Sequence, residues 1–347
     1  MAKGEEFKRS TIVDVAKRAG VSISTVSRVV RGRDEVSTAT RQRVQSVIDS
    51  MDYRPSPIAR ALVSGQTKLI ALLVSDIRNA FYPQLAMSVE REAAKLEYAV
   101  VICNTGDKAR ETRRYMERLV AQGLDGVIHA SATGQEDDIV DLLTSPKRIV
   151  FVNRASNLSE CSAIISGNRQ GAGELTQHLF DQGQRSIAFV AGPKYAQNAE
   201  ERRQGFLAIM ATLPNARPLV FEGDFSGASG AAAVEEWLKS DRLPSAIIGV
   251  NDTVAIGVLD AALRHNLRVP EDLAVAGFDN IAVAASELVN LTTVGQPIDR
   301  MARRAVKVLA RQLEGPETFD PVHELLRSEL VIRRSTAGDG PIRSGPA

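Results

Sequence analysis

Between Thr11 and Val30, apolar and polar positions follow a helical spacing in two short stretches on either side of Gly20. In the first stretch Val15, Ala16 and Ala19 make one apolar face, and Thr11 with Asp14 three residues on is close to a capping box. Gly20 supplies the positive φ of a tight turn, and Ala16 is small enough for a second helix to cross closely. In the second stretch Ser22 stands as the cap, and Val26, Val29 and Val30 are predicted to turn inward. That leaves Ser22, Ile23, Ser24, Thr25, Ser27 and Arg28 at the helix start or on its outer face. The spacing is that of a helix-turn-helix. Ser37 opens a third capped helix, with Val44, Val47, Ile48 and Met51 inward and Arg41 and Arg43 outward. It must stop before Pro55, because the residue ahead of a proline avoids helical φ/ψ.

From Lys68 the pattern changes. Residues 68–74 form a continuous apolar run, the mark of a strand buried on both faces of a parallel sheet. Helical spacing follows from Pro83 to Leu96, then a strand from Ala99 to Cys103, a helix from Glu111 to Gln122, a strand from Gly126 to His129, a helix from Ile139 to Leu143 and a strand from Ile149 to Val152. A second series starts near Ile164, with strands at residues 186–190, 217–222, 246–250 and 273–278 and helical stretches between. Two such series imply two α/β subdomains, each with a mainly parallel sheet covered on both faces. Residues 337–347, rich in Gly, Pro and Ser, are expected to be disordered.

Composition adds one point that the pattern does not. The net charge of +1 hides an asymmetry: residues 1–67 carry twelve Lys and Arg against seven Asp and Glu, and the remainder carries 31 against 35. A basic head on a mildly acidic body suits a module that meets phosphates joined to one that does not. The start lacks the apolar run of a signal peptide and no stretch is long and apolar enough for a membrane span, so a cytoplasmic protein with no membrane partner is expected. Cys103 and Cys161 stand in no metal-type spacing, and His129, His178, His265 and His323 are scattered, so neither a metal nor a cofactor is expected.

An outer helix face of small hydroxyls and one arginine suits a major groove. Hydroxyls bond phosphates, and an arginine can grip guanine O6 and N7 through two bonds. The run from Thr11 to Val30, with its Val-Ser-x-x-Thr-Val-Ser-Arg core, and the later Arg-Pro-Ser-Pro-Ile-Ala-Arg-Ala-Leu at residues 54–62 resemble the headpiece and hinge of the LacI/GalR family of bacterial repressors. The resemblance implies an all-α helix-turn-helix headpiece at residues 1–55, a hinge at 56–66 and an effector-binding and dimerisation body of periplasmic-binding-protein type at 67–336. It implies DNA contacts from Thr11, Ser22, Ile23, Ser24, Thr25, Ser27, Arg28, Arg31, Arg60 and Leu62. Arg31 stands where Asn is commoner in the family, which implies a different operator or an added phosphate contact. The hinge could form only two helical turns, marginal in isolation, so it is expected to order on binding. Leu62 matches the family's minor-groove wedge; the other reading is that it anchors the hinge on the body.

Parallel sheets bind ligands outside the carboxyl ends of their strands. The residues there are Ser75 to Tyr82, Asn153-Arg154, Asn198 and Arg202 beyond Gly192-Pro193, Asp224-Phe225, Asn251-Asp252 and Asp279-Asn280. Aromatic rings with Asn, Asp and Arg are what a polyhydroxylated ligand needs. The resemblance places Phe81, Tyr82, Asn198, Arg202, Phe225, Asp279 and Gln296 in the effector site, and the positions after the strands add Asn153 and Asn251. Phe225 fits ordinary core equally well, Gln296 fits a cap for the helix at Pro297, and Asn251-Asp252 fits a helix N-cap. Ser166-Gly167 stands where many relatives carry Asp-Asn, which weakens any transfer of ligand identity. In the family's fold the chain crosses between subdomains three times, so the helix from Pro297 to Leu313 and a strand around residues 325–332 are expected to return to the other subdomain.

The expected partners are a palindromic double-stranded operator, a second copy of the chain and a sugar-like effector, with a nucleobase as the alternative. No catalytic residue is expected. A dinucleotide-type Gly-x-Gly-x-x-Gly after the first strand, a P-loop and a Gly-x-Ser-x-Gly elbow are all missing, which speaks against an α/β enzyme with an accessory head.

Overall fold

The computed structural model describes residues 11–30, 35–53, 66–131, 136–143, 145, 148–315 and 319–337. The chain divides into two compact units between Lys68 and Leu69.

Among its described residues the first unit holds three helices, α1 (Ile12–Ala19), α2 (Ile23–Val30) and α3 (Thr38–Ser50). A full capping box starts α1: the Thr11 N–H donates to Asp14 Oδ2 at 2.9 Å and the Asp14 N–H to Thr11 Oγ1 at 3.3 Å. Gly20 ends it in the left-handed region, at φ 66°. Ser37 caps α3 by accepting from the Thr40 N–H. Val15, Ala16, Ala19, Val26, Val29, Val44 and Tyr53 fill the core, and Val47, Ile48 and Met51 pack partly against it. Val30 does not turn inward as its spacing predicts: it is exposed at the last position of α2, because Val26 and Val29 already fill the seam that α1 and α3 cover.

The second unit holds two six-stranded sheets. The first contains β1 (Leu69–Val74), β2 (Ala99–Asn104), β3 (Gly126–His129), β4 (Ile149–Val152), β5 (Ser162–Ser166) and β11 (His323–Leu326), in the order β11-β5-β4-β3-β1-β2 and parallel throughout. The second contains β6 (Ser186–Val190), β7 (Arg217–Phe221), β8 (Ala246–Gly249), β9 (Ala274–Asp279), β10 (Thr292–Gly295) and β12 (Glu329–Val331), in the order β12-β10-β9-β8-β6-β7, with only β12 antiparallel. The intervening helices are α4 (Phe81–Ala94), α5 (Ala109–Ala121), α6 (Glu136–Leu143), α7 (Asn168–Asp181), α8 (Gln197–Met210), α9 (Gly227–Lys239), α10 (Asp252–Arg264) and α11 (Ile298–Glu314), with a last turn, α12 (Arg334–Ala337). Central strands such as β3, β4 and β8 are buried along their whole length, which is why they read as unbroken apolar runs.

Two sequence expectations need correction, and one strand was not anticipated. The strand after Cys161 opens no second series; it is β5, paired with β4 in the first sheet, and local sequence carries no mark of sheet membership. The strand expected around residues 325–332 is two strands, β11 in the first sheet and β12 in the second, broken at Arg327-Ser328. The strand β10 has no apolar run to announce it, being Thr-Thr-Val-Gly, yet it joins β9 and β12.

The chain therefore crosses between the sheets three times: at Gly167, at Gln296-Pro297 and at Arg327-Ser328. The crossings touch. The Gly167 N–H donates to Leu326 O at 2.8 Å, and Ser166 Oγ donates to Gln296 Oε1 at 2.8 Å. Among the described residues no helix is long and apolar enough to cross a membrane.

Candidate functional site

On the headpiece, the side chains singled out from the sequence lie together at one end and one side of α2. Ser22, Ile23, Ser24 and Arg28 are exposed, and Thr25 and Ser27 half-buried. Ser22 does cap the helix, its Oγ accepting from the Thr25 N–H at 3.1 Å, and its hydroxyl lies 2.7 Å from Ser24 Oγ and 2.9 Å from Thr25 Oγ1. This hydroxyl cluster offers donors and acceptors without bulk, the chemistry of a phosphate contact. Arg28 Nε lies 3.4 Å from Glu35, with both side chains more than half exposed. An ion pair in water is weak, so the guanidinium can exchange Glu35 for a base edge or a phosphate at little cost. Thr11 is exposed, but its side chain is committed to the cap of α1. Arg31, Arg60 and Leu62 lie outside the described residues.

In the body, Phe81, Tyr82, Asn153, Asn198, Arg202, Phe225, Asn251 and Asp279 line one cavity, with Asn79 as a ninth residue. They come from loops and helix starts beyond the carboxyl ends of strands in both sheets. The cavity encloses about 10 Å³, room for roughly one water centre, so the two sheets stand close together.

At its floor is a buried ion pair. Arg202 Nη2 lies 3.2 Å from Asp279 Oδ1, with the side chains 2% and 4% exposed. Arg202 also donates from Nε to Asn168 Oδ1 at 3.0 Å and from Nη1 to Val250 O at 2.8 Å, and its guanidinium carbon lies 3.8 Å from the centre of the Phe278 ring. Burial lowers the Arg202 pKa, while the Asp279 and Asp252 carboxylates act to raise it. Burial raises the Asp279 pKa, opposed by Arg202 and by the hydrogen bond from Gln296. Asp279 sits at φ 115° and Asn280 at φ 56°, backbone that a non-glycine residue holds only where its surroundings impose it.

Gln296 does not line this cavity. It is buried at the second crossing, donating from Nε2 to Asp279 Oδ1 at 2.6 Å and accepting from Ser166, and it borders an adjoining groove of about 460 Å³ with Asp279 and Asn280. Asn251 holds both roles the sequence left open: its Oδ1 caps α10 by accepting from the Val254 N–H at 2.8 Å, and the residue lines the cavity. Phe225 likewise lines the cavity while packing partly against the core of the second sheet. Tyr82 is buried edge-on to Phe81, ring centres 5.3 Å apart, and burial raises its pKa.

Asn79, whose Oδ1 accepts from the Phe81 N–H, and the buried Asp252 lie in the strand-end runs the sequence singled out, and Ser166 is the departure noted there; sequence reasoning missed Asn168, which accepts from Arg202 behind the cavity. Asn168 becomes visible only once the first crossing is located.

Comparison with known proteins agrees with both halves. Residues 11–56 match the family described as bacterial regulatory proteins, lacI family, and residues 176–336 match a periplasmic binding protein-like domain. The chain is 32% identical to catabolite control protein A of Priestia megaterium over 329 residues, 94% of this chain and 99% of that protein. It is 33% identical to the ribose operon repressor of Halalkalibacterium halodurans over 329 residues, 95% of this chain and 98% of that one. Among solved structures, the lac repressor dimer bound to operator and the anti-inducer ONPF aligns with a TM-score of 0.84 at 27% identity, covering 95% of this chain and 99% of that chain.

Proposed function

The chain belongs to the lacI family of bacterial regulatory proteins, and from that premise we propose that this transcriptional regulator is a repressor that binds a palindromic operator as a dimer and is controlled by a neutral sugar or sugar derivative held in the body's cleft. The observation that carries the reading is the cavity itself. Seven further residues, from beyond the strands of both sheets, line the cavity around the buried Arg202–Asp279 pair, four of them asparagines and three aromatic. Rings cover the C–H faces of a sugar, and amides and the carboxylate bond its hydroxyls. Neutrality follows from the pair: the Asp279 carboxylate already balances the Arg202 charge, and three of the guanidinium's donors go to Asn168, Val250 O and Asp279, which leaves little unmatched charge for an anion.

In this reading α2 enters the major groove with Ser22, Ser24, Thr25 and Ser27 on the backbone and Arg28 on a base edge. Residues 56–66 form the hinge, with Arg60 and Leu62 at the minor groove, and residues 67–336 bind effector and the second copy. A dimer doubles the base contacts on a palindrome. It is supported by Leu263 and Leu288, exposed at 76% and 98%, beside Ile256, Leu259 and Val289 on the second subdomain. Such apolar surface marks an interface with a partner of similar character. Effector that changes the angle between the sheets changes the spacing of the two heads, so operator and effector affect each other's affinity reciprocally.

The test is selection from a pool of random duplex DNA at two salt concentrations. A palindrome with a flexible pyrimidine–purine step at its centre supports the reading. Recovery of no common sequence, with and without sugars present, contradicts it.

A further inference from the structure

Beneath Asp279 lies a second carboxylate for which the effector site has no direct use. Asp252, the first residue of α10, is fully buried. Its Oδ2 accepts from the Ile281 N–H at 2.8 Å, and its Oδ1 accepts from Thr293 Oγ1 at 2.5 Å. Thr293 Oγ1 in turn accepts from the Asn280 N–H at 3.3 Å. The carboxylate thus holds, directly or through one hydroxyl, the two amides that follow Asp279. These belong to the stretch where Asp279 and Asn280 are kept at positive φ. The second sheet reserves space for it: at Gly277 on β9 a methyl group would collide with Asp252 Oδ1 and come within 3.0 Å of its Cα.

We propose that Asp252 is a positioning residue for effector recognition, fixing the turn Asp279-Asn280-Ile281 and with it the direction in which the Asp279 carboxylate faces the cleft. The proposal rests on the reading of that cleft as the effector site. The groups that act on Asp252 are Asp279 from β9, Thr293 from β10, the Ile281 amide and Arg333 beyond β12, and its charge is felt at Arg202 on α8. Burial, reinforced by the Asp279 charge, pushes the Asp252 carboxyl up to about 7. A protonated Asp252 gives up one acceptor of the pair that holds the turn, so effector affinity falls as pH drops through this range.

Asp252→Asn keeps the shape and removes the carboxylate, and Asp252→Ala removes both hydrogen bonds. Titration calorimetry of the full chain with D-ribose, D-glucose and cellobiose between pH 6 and 8, with amide hydrogen exchange in parallel, tests the role. The expected result for Asp252→Asn is at least a tenfold loss of affinity for whichever sugar binds the wild type. The pH dependence seen in the wild type disappears, and the Ile281 amide exchanges at least tenfold faster. Amides in the first turn of α10 are unchanged in rate. Wild-type affinity and pH profile in Asp252→Asn, or unchanged Ile281 exchange in both variants, overturns the proposal. The exchange measurement needs no sugar. If Asp279→Asn binds the sugar as the wild type does, it is the reading of the cleft that fails, while accelerated Ile281 exchange in Asp252→Asn still supports the hold on the turn.

Discussion

Arg28 in the headpiece and Arg202 in the body each face a carboxylate at similar distance, 3.4 Å to Glu35 and 3.2 Å to Asp279, yet the Arg28 side chain is 51% exposed and that of Arg202 is 2% exposed. In water such a pair is worth little and salt screens it, so Arg28 is held ready for another partner. Out of water, each charge depends on the other, and whatever reaches one disturbs both. The first arrangement suits a surface that reads DNA by exchanging weak contacts. The second suits a cleft in which a small neutral molecule moves a large interaction. The same two residue types serve different ends because burial differs.

Removing one member of the buried pair is the severest way to probe this contrast. Asp279→Ala is expected to cost about 3–5 kcal/mol of body stability by leaving Arg202 buried without its counter-charge. Adding Arg202→Met should restore most of it. Urea unfolding followed through Trp237 reads both, and a cost below about 1 kcal/mol for the single variant would erase the contrast.

Acid separates the units next. His129 is fully buried, and burial, with Arg154 nearby, pushes its pKa from the ordinary 6.5 down to about 3. Below pH 6.5 the unfolded chain takes up this proton and the folded chain does not. Stability is therefore full above 6.5 and declines as pH falls toward 3, by about 2 kcal/mol at pH 5. All four histidines lie in the body, so the headpiece lacks this loss. Urea midpoints of wild type and His129→Phe at pH 7 and pH 5 check it; the variant should lose less between the two, and equal losses would exclude His129 as the cause.

On the exposed side, Arg28→Ala should weaken specific DNA binding by about 1–3 kcal/mol and relax preference at one operator position. It should leave the melting temperature unchanged. Unchanged base preference would show that Arg28 reads no base. The smallest effect is expected at Thr11→Ala, about 1 kcal/mol of headpiece stability from the lost cap, measured by thermal unfolding followed by circular dichroism.

The two regions also differ in how far they could be read in advance. In the headpiece the described core positions and the candidate residues on α2 fall within a few dozen consecutive residues, so spacing alone placed Val15, Val26, Val29 and Val44 inside and Ser22, Ser24 and Arg28 outside. It failed at Val30, where the extent of the neighbouring helices decides burial, and it passed over Tyr53, which closes the core. In the body, strand ends and resemblance together pointed to eight of the nine residues that share the cavity. They could not show that Arg202 and Asp279 face each other, nor that Gln296 joins Asp279 to Ser166 across two crossings. The Ser166–Gln296 contact depends on which sheet β5 enters and spans 130 residues, and contacts between separate elements leave no periodic trace in the chain.

The most direct test of a DNA-reading surface governed by a separate buried pair is operator affinity, measured for wild type and Asp279→Asn with and without the tightest-binding sugar of a panel. The account predicts that the sugar shifts the wild-type affinity, and that Asp279→Asn binds operator as tightly as the unliganded wild type and does not respond. A variant that still responds at the same sugar concentration would place the effector elsewhere, and one that no longer binds operator would show that the buried pair serves the reading surface itself.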